Sequence, residues 1–197
     1  MKTKDEIIRV ALKLFNRRGT RRVTTNHIAA EASISPGNLY YHFRNKEAII
    51  RDIFVRMDET GRGMFAAIFS KSPDPAERME AAFRSIQAFN RRFIFFKREL
   101  PALVMGDPKV KKLYLASHRA HLAMIGSLVD ESVESGYLKP MDGSERRAFA
   151  ELSWFLALYW INYLEVSGEP IDDRGIQRGI ALSRFLLEAV RSPSSRG

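Results

Sequence analysis

An all-α chain in two parts is what this sequence predicts: a three-helix, helix-turn-helix N-terminal domain and a larger C-terminal helical domain. Three observations carry the expectation. Apolar residues recur at three- and four-residue spacing through nearly every segment between turn signals, and no stretch alternates as a half-buried strand would. Within residues 23–46 two short helical patterns are joined by a tight turn. The net charge of +9 is also uneven: residues 1–50 hold ten Lys/Arg against four Asp/Glu, and the remainder twenty-two against nineteen. A basic N-terminal quarter is the electrostatic footprint of a polyanion-binding surface.

The first helix is expected from Thr3, with Glu6 completing a capping box, a buried stripe of Ile7, Ala11, Leu14 and Phe15, and Gly19 as its stop. Thr24 caps the second, whose apolar face is Ile28, Ala29 and Ala32. Ser33 breaks the pattern. Ser35 then caps a third helix, with Pro36 at the first position, where a missing N–H costs nothing. Leu39 and Phe43 lie four apart and point inward, which leaves Asn38, Tyr41 and His42 outside. An outer face of Gly, Asn, Tyr and His suits a recognition helix in the major groove of DNA.

A long fourth helix starts at Asn45, and Gly61 with Gly63 predict a bend or break near its far end. Residues 70–77 read as a loop, the next helix opens at Pro75, and Pro101 is expected to kink or end the aromatic stretch after Asn90. Residues 109–135 form another long helix closed by Gly136. Ser144 is the expected cap of a helix over 144–166 that is apolar nearly all round, and Asp172 and Asp173 open the last one. A helix of the former kind must be covered on several sides, so helices 144–166 and 171–191 are expected to pair with their symmetry mates in a homodimer, with Trp160, Tyr163, Leu182, Phe185 and Leu186 at the interface. The domains are drawn at 1–47 and 48–192, with 193–197 as a disordered tail.

The residues Thr24, Ile28, Ala29, Ser35, Gly37, Leu39, Tyr40, His42, Phe43, Lys46 and Glu47 match the T-x-x-x-I-A and S-x-G-x-L-Y-x-H-F-x-x-K-E pattern of one family. On these residues the chain resembles the DNA-binding domain of the TetR (tetracycline-repressor-like) family of bacterial transcription regulators, over roughly residues 3–50. Ser33 departs from it, since the family usually has glycine there. The resemblance implies a regulator in which two recognition helices read a palindromic operator in double-stranded DNA and a small-molecule effector in the C-terminal domain releases it. Expected DNA contacts are Thr24, Thr25, Ser35, Pro36, Gly37, Asn38, Tyr40, Tyr41, His42 and Lys46, with Tyr41, His42, Lys46 and Thr24 or Thr25 on phosphates and Gly37, Asn38 and Tyr40 at base edges.

The aromatic content beyond residue 50 fits an apolar cavity for a hydrophobic effector, neutral or cationic because few fixed charges interrupt it. Its expected lining is Phe54, Met57, Phe65, Phe89, Phe93, Phe96, His121, Trp154, Phe155 and Tyr159. No cysteine occurs, so a disulfide framework and a thiolate metal site are excluded, and a cytoplasmic setting is expected. The acids in the amphipathic N-terminus argue against a signal peptide, and the apolar run from Trp154 to Ile161 falls far short of the roughly 20 residues needed to span a membrane. His118 and His121 lie three apart on a helix, as metal ligands can, but lack an acidic partner at a familiar metal-site spacing. A metal-dependent enzyme and a purely architectural DNA binder are the rival readings. Neither a phosphate loop nor a nucleophile motif supports the first, and the aromatic-rich helices are superfluous to the second. No cofactor is expected.

Overall fold

Residues 2–69 and 74–193 are described by a computed structural model, so residues 70–73 of the expected loop and 194–197 of the expected tail lie outside the described residues. The helices are α1 (Lys2–Arg18), α2 (Thr25–Glu31), α3 (Pro36–His42), α4 (Lys46–Phe69), α5 (Pro75–Arg92), α6 (Ile94–Gly106), α7 (Pro108–Glu134), α8 (Gly143–Val166) and α9 (Asp173–Val190). Among the described residues β pairing is limited to one antiparallel bridge, Leu138 to Arg191.

Four local expectations are corrected. The first helix begins at Lys2, so Thr3 lies inside its first turn, and Glu6 takes a hydrogen bond from Arg9 at 2.8 Å in place of a capping role. The aromatic stretch breaks at Phe93, between α5 and α6, and α6 runs through Pro101. Helix α4 continues through Gly61 and Gly63 without interruption, because two glycines lower helix stability but do not remove backbone donors. Asp142, not Ser144, caps α8: its carboxylate accepts from the amides of Ser144 at 2.7 Å and Glu145 at 2.9 Å, and Glu145 in turn accepts from the Asp142 amide at 3.0 Å.

The chain divides into two compact units, one of residues 1–61 with 93–114 and one of 62–92 with 115–197. In the first, α1, α2 and α3 bury Ile7, Leu14, Phe15, Ile28, Leu39 and Phe43. Helix α6 closes this core. Phe95 packs on Phe15 with ring centroids 5.4 Å apart, and Phe96 packs on Phe54 at 5.1 Å. Its first turn is tied to the end of α1, where Asn16 Oδ1 accepts from the Phe95 amide at 3.2 Å. Towards the other end of α1, Asp52 accepts from Lys4 at 2.7 Å and from Arg56 at 2.8 Å. Burial alone would raise the Asp52 carboxyl, but those two hydrogen bonds outweigh it and hold it below its usual value.

The second unit is built on α5, α8 and α9 with the C-terminal part of α7. Phe65, Phe83, Ile86, Trp160, Leu164, Ile176 and Ile180 form one buried cluster, and Val129, Leu138, Met141, Phe149 and Leu187 another. Two glycines let α9 come this close. A Cβ on Gly179 would stand 2.4 Å from the Phe83 ring and 2.6 Å from the Trp160 indole nitrogen, and one on Gly175 would stand 2.8 Å from the Pro170 carbonyl. The Trp160 N–H meanwhile donates to the Gly175 carbonyl at 2.9 Å.

Candidate functional site

The helix-turn-helix is assembled from local hydrogen bonds. Thr24 Oγ1 accepts from the His27 amide at 3.2 Å, and His27 Nδ1 accepts from the Thr24 amide at 3.3 Å, a capping box with histidine in the place usually taken by Glu or Gln. Ser35 Oγ accepts from the Asn38 amide at 3.1 Å and fixes the start of α3, with Pro36 as its first residue. Between the two helices Ser33 takes φ 54°, the left-handed turn that glycine would adopt without strain. Buried Leu39 and Phe43 hold α3 down, leaving Gly37, Asn38, Tyr40 and Tyr41 exposed on its outer side. Tyr41 is 86% exposed against 50% for Tyr40, with the His42 ring edge-on 5.1 Å away.

Three more of the expected DNA-contact residues, Thr25, Tyr40 and Lys46, are engaged within the fold. Tyr40 OH and Thr25 Oγ1 lie 3.0 Å apart, which braces α3 against the N-terminus of α2. Lys46 Nζ donates to the carbonyls of Thr20 at 2.8 Å and Val23 at 3.1 Å, and so clamps the loop that leads into α2. An ammonium has three donors, so one remains for a phosphate.

The second unit contains an apolar cavity of about 130 Å³, partly open to solvent. Phe65, Phe83, Ile86, Val129, Phe149 and Leu187 supply much of its wall. Of the expected lining residues, Phe65 and Trp154 stand at this cavity. His121 is buried behind them, stacked on Trp154 at 4.7 Å and edge-on to Phe65 at 5.2 Å. Phe54, Met57, Phe93 and Phe96 are buried in the other unit, where they build its core. Phe89 is half-buried on α5 and does not line the cavity, while Phe155 and Tyr159 pack on each other at 5.1 Å, with Phe155 exposed. The aromatic pattern gave no sign of the polar members of the wall, Arg78, Ser132, Ser153 and Ser183. Arg78 could have been noticed, since a cation in the first turn of a helix opposes the helix dipole.

Both histidines of the suspected metal pair turn to Trp154. The Trp154 N–H donates to His118 Nδ1 at 3.1 Å, and His121 Nδ1 donates to the Ser117 carbonyl at 2.7 Å. Among the described residues no three His, Cys, Asp or Glu side chains are placed to hold a metal ion, and no helix is long and apolar enough to cross a membrane. On α8 and α9, Leu152, Phe155, Tyr163, Val166, Leu182 and Phe185 are all exposed. Trp160 and Leu186 do not belong to that surface: the first is buried in the core and the second lines the cavity.

Comparison with known proteins agrees with this geometry. The family described as bacterial regulatory proteins, tetR family, matches residues 7–53, and that described as bacterial transcriptional repressor matches residues 62–197. The HTH-type transcriptional repressor KstR2 of Mycobacterium tuberculosis is 26% identical over 149 residues, covering 70% of each chain. A TetR-family regulator from Marinobacter aquaeolei VT8 superposes with a TM-score of 0.87 at 32% identity, over 100% of this chain and 94% of that one. The M. tuberculosis KstR2 structure, described as a ketosteroid transcriptional regulator, superposes at 0.72 with 19% identity over 96% and 95% of the two chains. With a helix-turn-helix formed residue by residue and both halves of the chain matched, this protein belongs to the TetR family of DNA-binding bacterial transcriptional regulators.

Proposed function

We propose that the protein is a homodimeric repressor, held on a palindromic operator until a small hydrophobic effector enters the cavity of its second unit. The observation that carries this reading is the pairing, in one chain, of an exposed recognition helix with a lined apolar cavity in a separate compact unit. A protein that merely shaped DNA would need no such cavity. The exposed apolar face of α8 and α9 supports the dimer, because monomeric proteins rarely leave a contiguous apolar surface of that kind in water. Two protomers joined there would present two copies of α3 to the half-sites of a palindrome. A relative described as a ketosteroid transcriptional regulator supports an apolar effector class. Such a regulator acts where bacterial DNA is, in the cytoplasm.

Helices α4 and α7 each contribute residues to both units, and the chain passes from one unit to the other within each of them and again at residue 93. An effector alters DNA affinity only if it binds two arrangements of the protein unequally. The test begins with selection of genomic fragments by the purified protein, followed by footprinting. A protected inverted repeat, released by an apolar compound that also binds the DNA-free protein, is the expected result. Binding without sequence preference, unaffected by any apolar compound, would show an architectural protein instead.

A further inference from the structure

The effector cavity carries a charge that the aromatic content of the sequence hides. Its wall is almost wholly apolar, yet Arg78 stands in it, and among the described lining residues there is no acidic side chain. Arg78 also sits in the first turn of α5, where its positive charge adds to that of the helix N-terminus. Helix stability does not explain a cation there.

A second observation concerns oxygen chemistry in the same wall. The hydroxyls of Ser132 and Ser183 donate to the carbonyls of Leu128 at 2.7 Å and Gly179 at 3.1 Å. The Ser153 hydroxyl is buried with no hydrogen-bond partner among the described residues. A buried hydroxyl left unpaired carries a desolvation penalty that an occupant with an oxygen acceptor would remove. Cavity and polar groups thus ask for one kind of molecule, mostly hydrocarbon and acidic at one end. The size is bounded as well: an apolar cavity of about 150 Å³ takes up benzene, so the enclosed body is on the order of six carbons, with more room at the open side.

We propose that the effector is an apolar carboxylate, its hydrocarbon body in the cavity and its anionic head on the Arg78 guanidinium. This rests on reading the cavity as the effector site, and it replaces the expectation of a neutral or cationic ligand. A cationic head would meet Arg78 and no compensating acid. A neutral head would leave the guanidinium as it is.

Calorimetric titration of the full chain with octanoate, 1-octanol and octylamine separates the possibilities, since the three share a chain and differ in head charge. Octanoate is expected to bind about tenfold or more tightly than octanol, the usual advantage of a charge-assisted hydrogen bond, with octylamine weakest. Arg78→Gln should bring octanoate down to the octanol value and leave octanol unchanged, and Arg78→Lys should restore most of the preference. Arg78 is partly exposed, so these variants are expected to fold, which circular dichroism checks. Equal binding of octanoate and octanol, tighter binding of octylamine, or a carboxylate preference that survives Arg78→Gln overturns the proposal while leaving the cavity an effector site. Absence of binding by all three overturns that underlying reading as well.

Discussion

Glu99 of α6 accepts from both the backbone amide of Thr20, at 2.9 Å, and the Thr20 hydroxyl. Thr20 is buried, and its carbonyl is one of the two clamped by Lys46. A single residue in the loop before the helix-turn-helix is therefore gripped from α6 on one side and from α4 on the other. Glu99→Ala should leave the amide and hydroxyl unpaired and destabilise the protein by about 1–3 kcal/mol. Glu99→Gln, which can accept from the amide and pair with the hydroxyl, should recover most of that loss. Urea denaturation of the two variants checks the order.

Lys97, buried on the same helix, gives a pH signature. Burial pushes its ammonium down from 10.5 to about 7 in the folded protein. The unfolded chain then binds more protons between those values, so stability should rise as pH goes from about 7 to about 10.5. Below pH 7 the lysine is protonated in both states and its contribution is constant. Lys97→Met should flatten the slope in that window and stabilise the protein most at its acid end. Thermal melts across the pH series measure it.

Lys46 and Tyr41 should separate structure from recognition. Lys46→Ala frees the Thr20 and Val23 carbonyls, so melting temperature and affinity for DNA of any sequence should fall together. If its third donor reaches a phosphate, the salt slope also falls by about one unit. Tyr41→Ala, at an exposed position, should leave stability within about 0.5 kcal/mol of wild type and weaken DNA binding alone. Melting curves beside binding isotherms at several salt concentrations distinguish the two patterns.

Gly179→Ala should be costly. The added methyl would overlap the Phe83 and Trp160 rings inside a packed core, which must shift to admit it. Overpacking of this kind costs about 1–3 kcal/mol, against the stabilisation of about 1 kcal/mol that the same change brings in an open helix. At Gly63 an added methyl would meet nothing within 4 Å, so Gly63→Ala is the control expected to go the other way. Paired denaturation curves show whether the two substitutions have opposite signs.

Phe185→Glu tests the assembly. The side chain is 74% exposed in the single chain, so the charge should not disturb folding. Sedimentation should find wild type as a dimer at micromolar concentration and the variant as a monomer with a normal far-ultraviolet spectrum. A wild type that sediments as a monomer would refute the interface.

What could be read from the sequence was whatever is decided within a turn or two of chain. The caps expected at Thr24 and Ser35, and the helix starts expected at Asn45 and Asp172, depend on a side chain reaching an amide three residues away, and all four hydrogen bonds form. Asp142 was missed because Ser144, two residues on, is also a good cap by type, and only the backbone at Asp142 decides between them. The cavity was less legible. Phe93 and Phe96 are as aromatic as Phe65, and composition cannot say which of two cores a ring enters when the chain passes from one to the other at residue 93. Arg78 lay just past a loop, in a stretch where a cation looks like ordinary surface.

The division of the chain also sets an order of events during synthesis. The compact unit that holds the helix-turn-helix includes residues 93–114, which emerge from the ribosome well after α4 has left it. Until α6 arrives, Phe15 and Phe54 lack Phe95 and Phe96 as partners. The nascent recognition domain must wait with apolar surface uncovered while α5, which belongs to the other unit, is made in between. At synthesis rates of roughly 5–20 residues per second that interval lasts for seconds, long enough for a chaperone to bind. A fragment ending at Gly61 would be stranded permanently in that state, so a gene fragment encoding only the conspicuous motif should yield an aggregation-prone polypeptide.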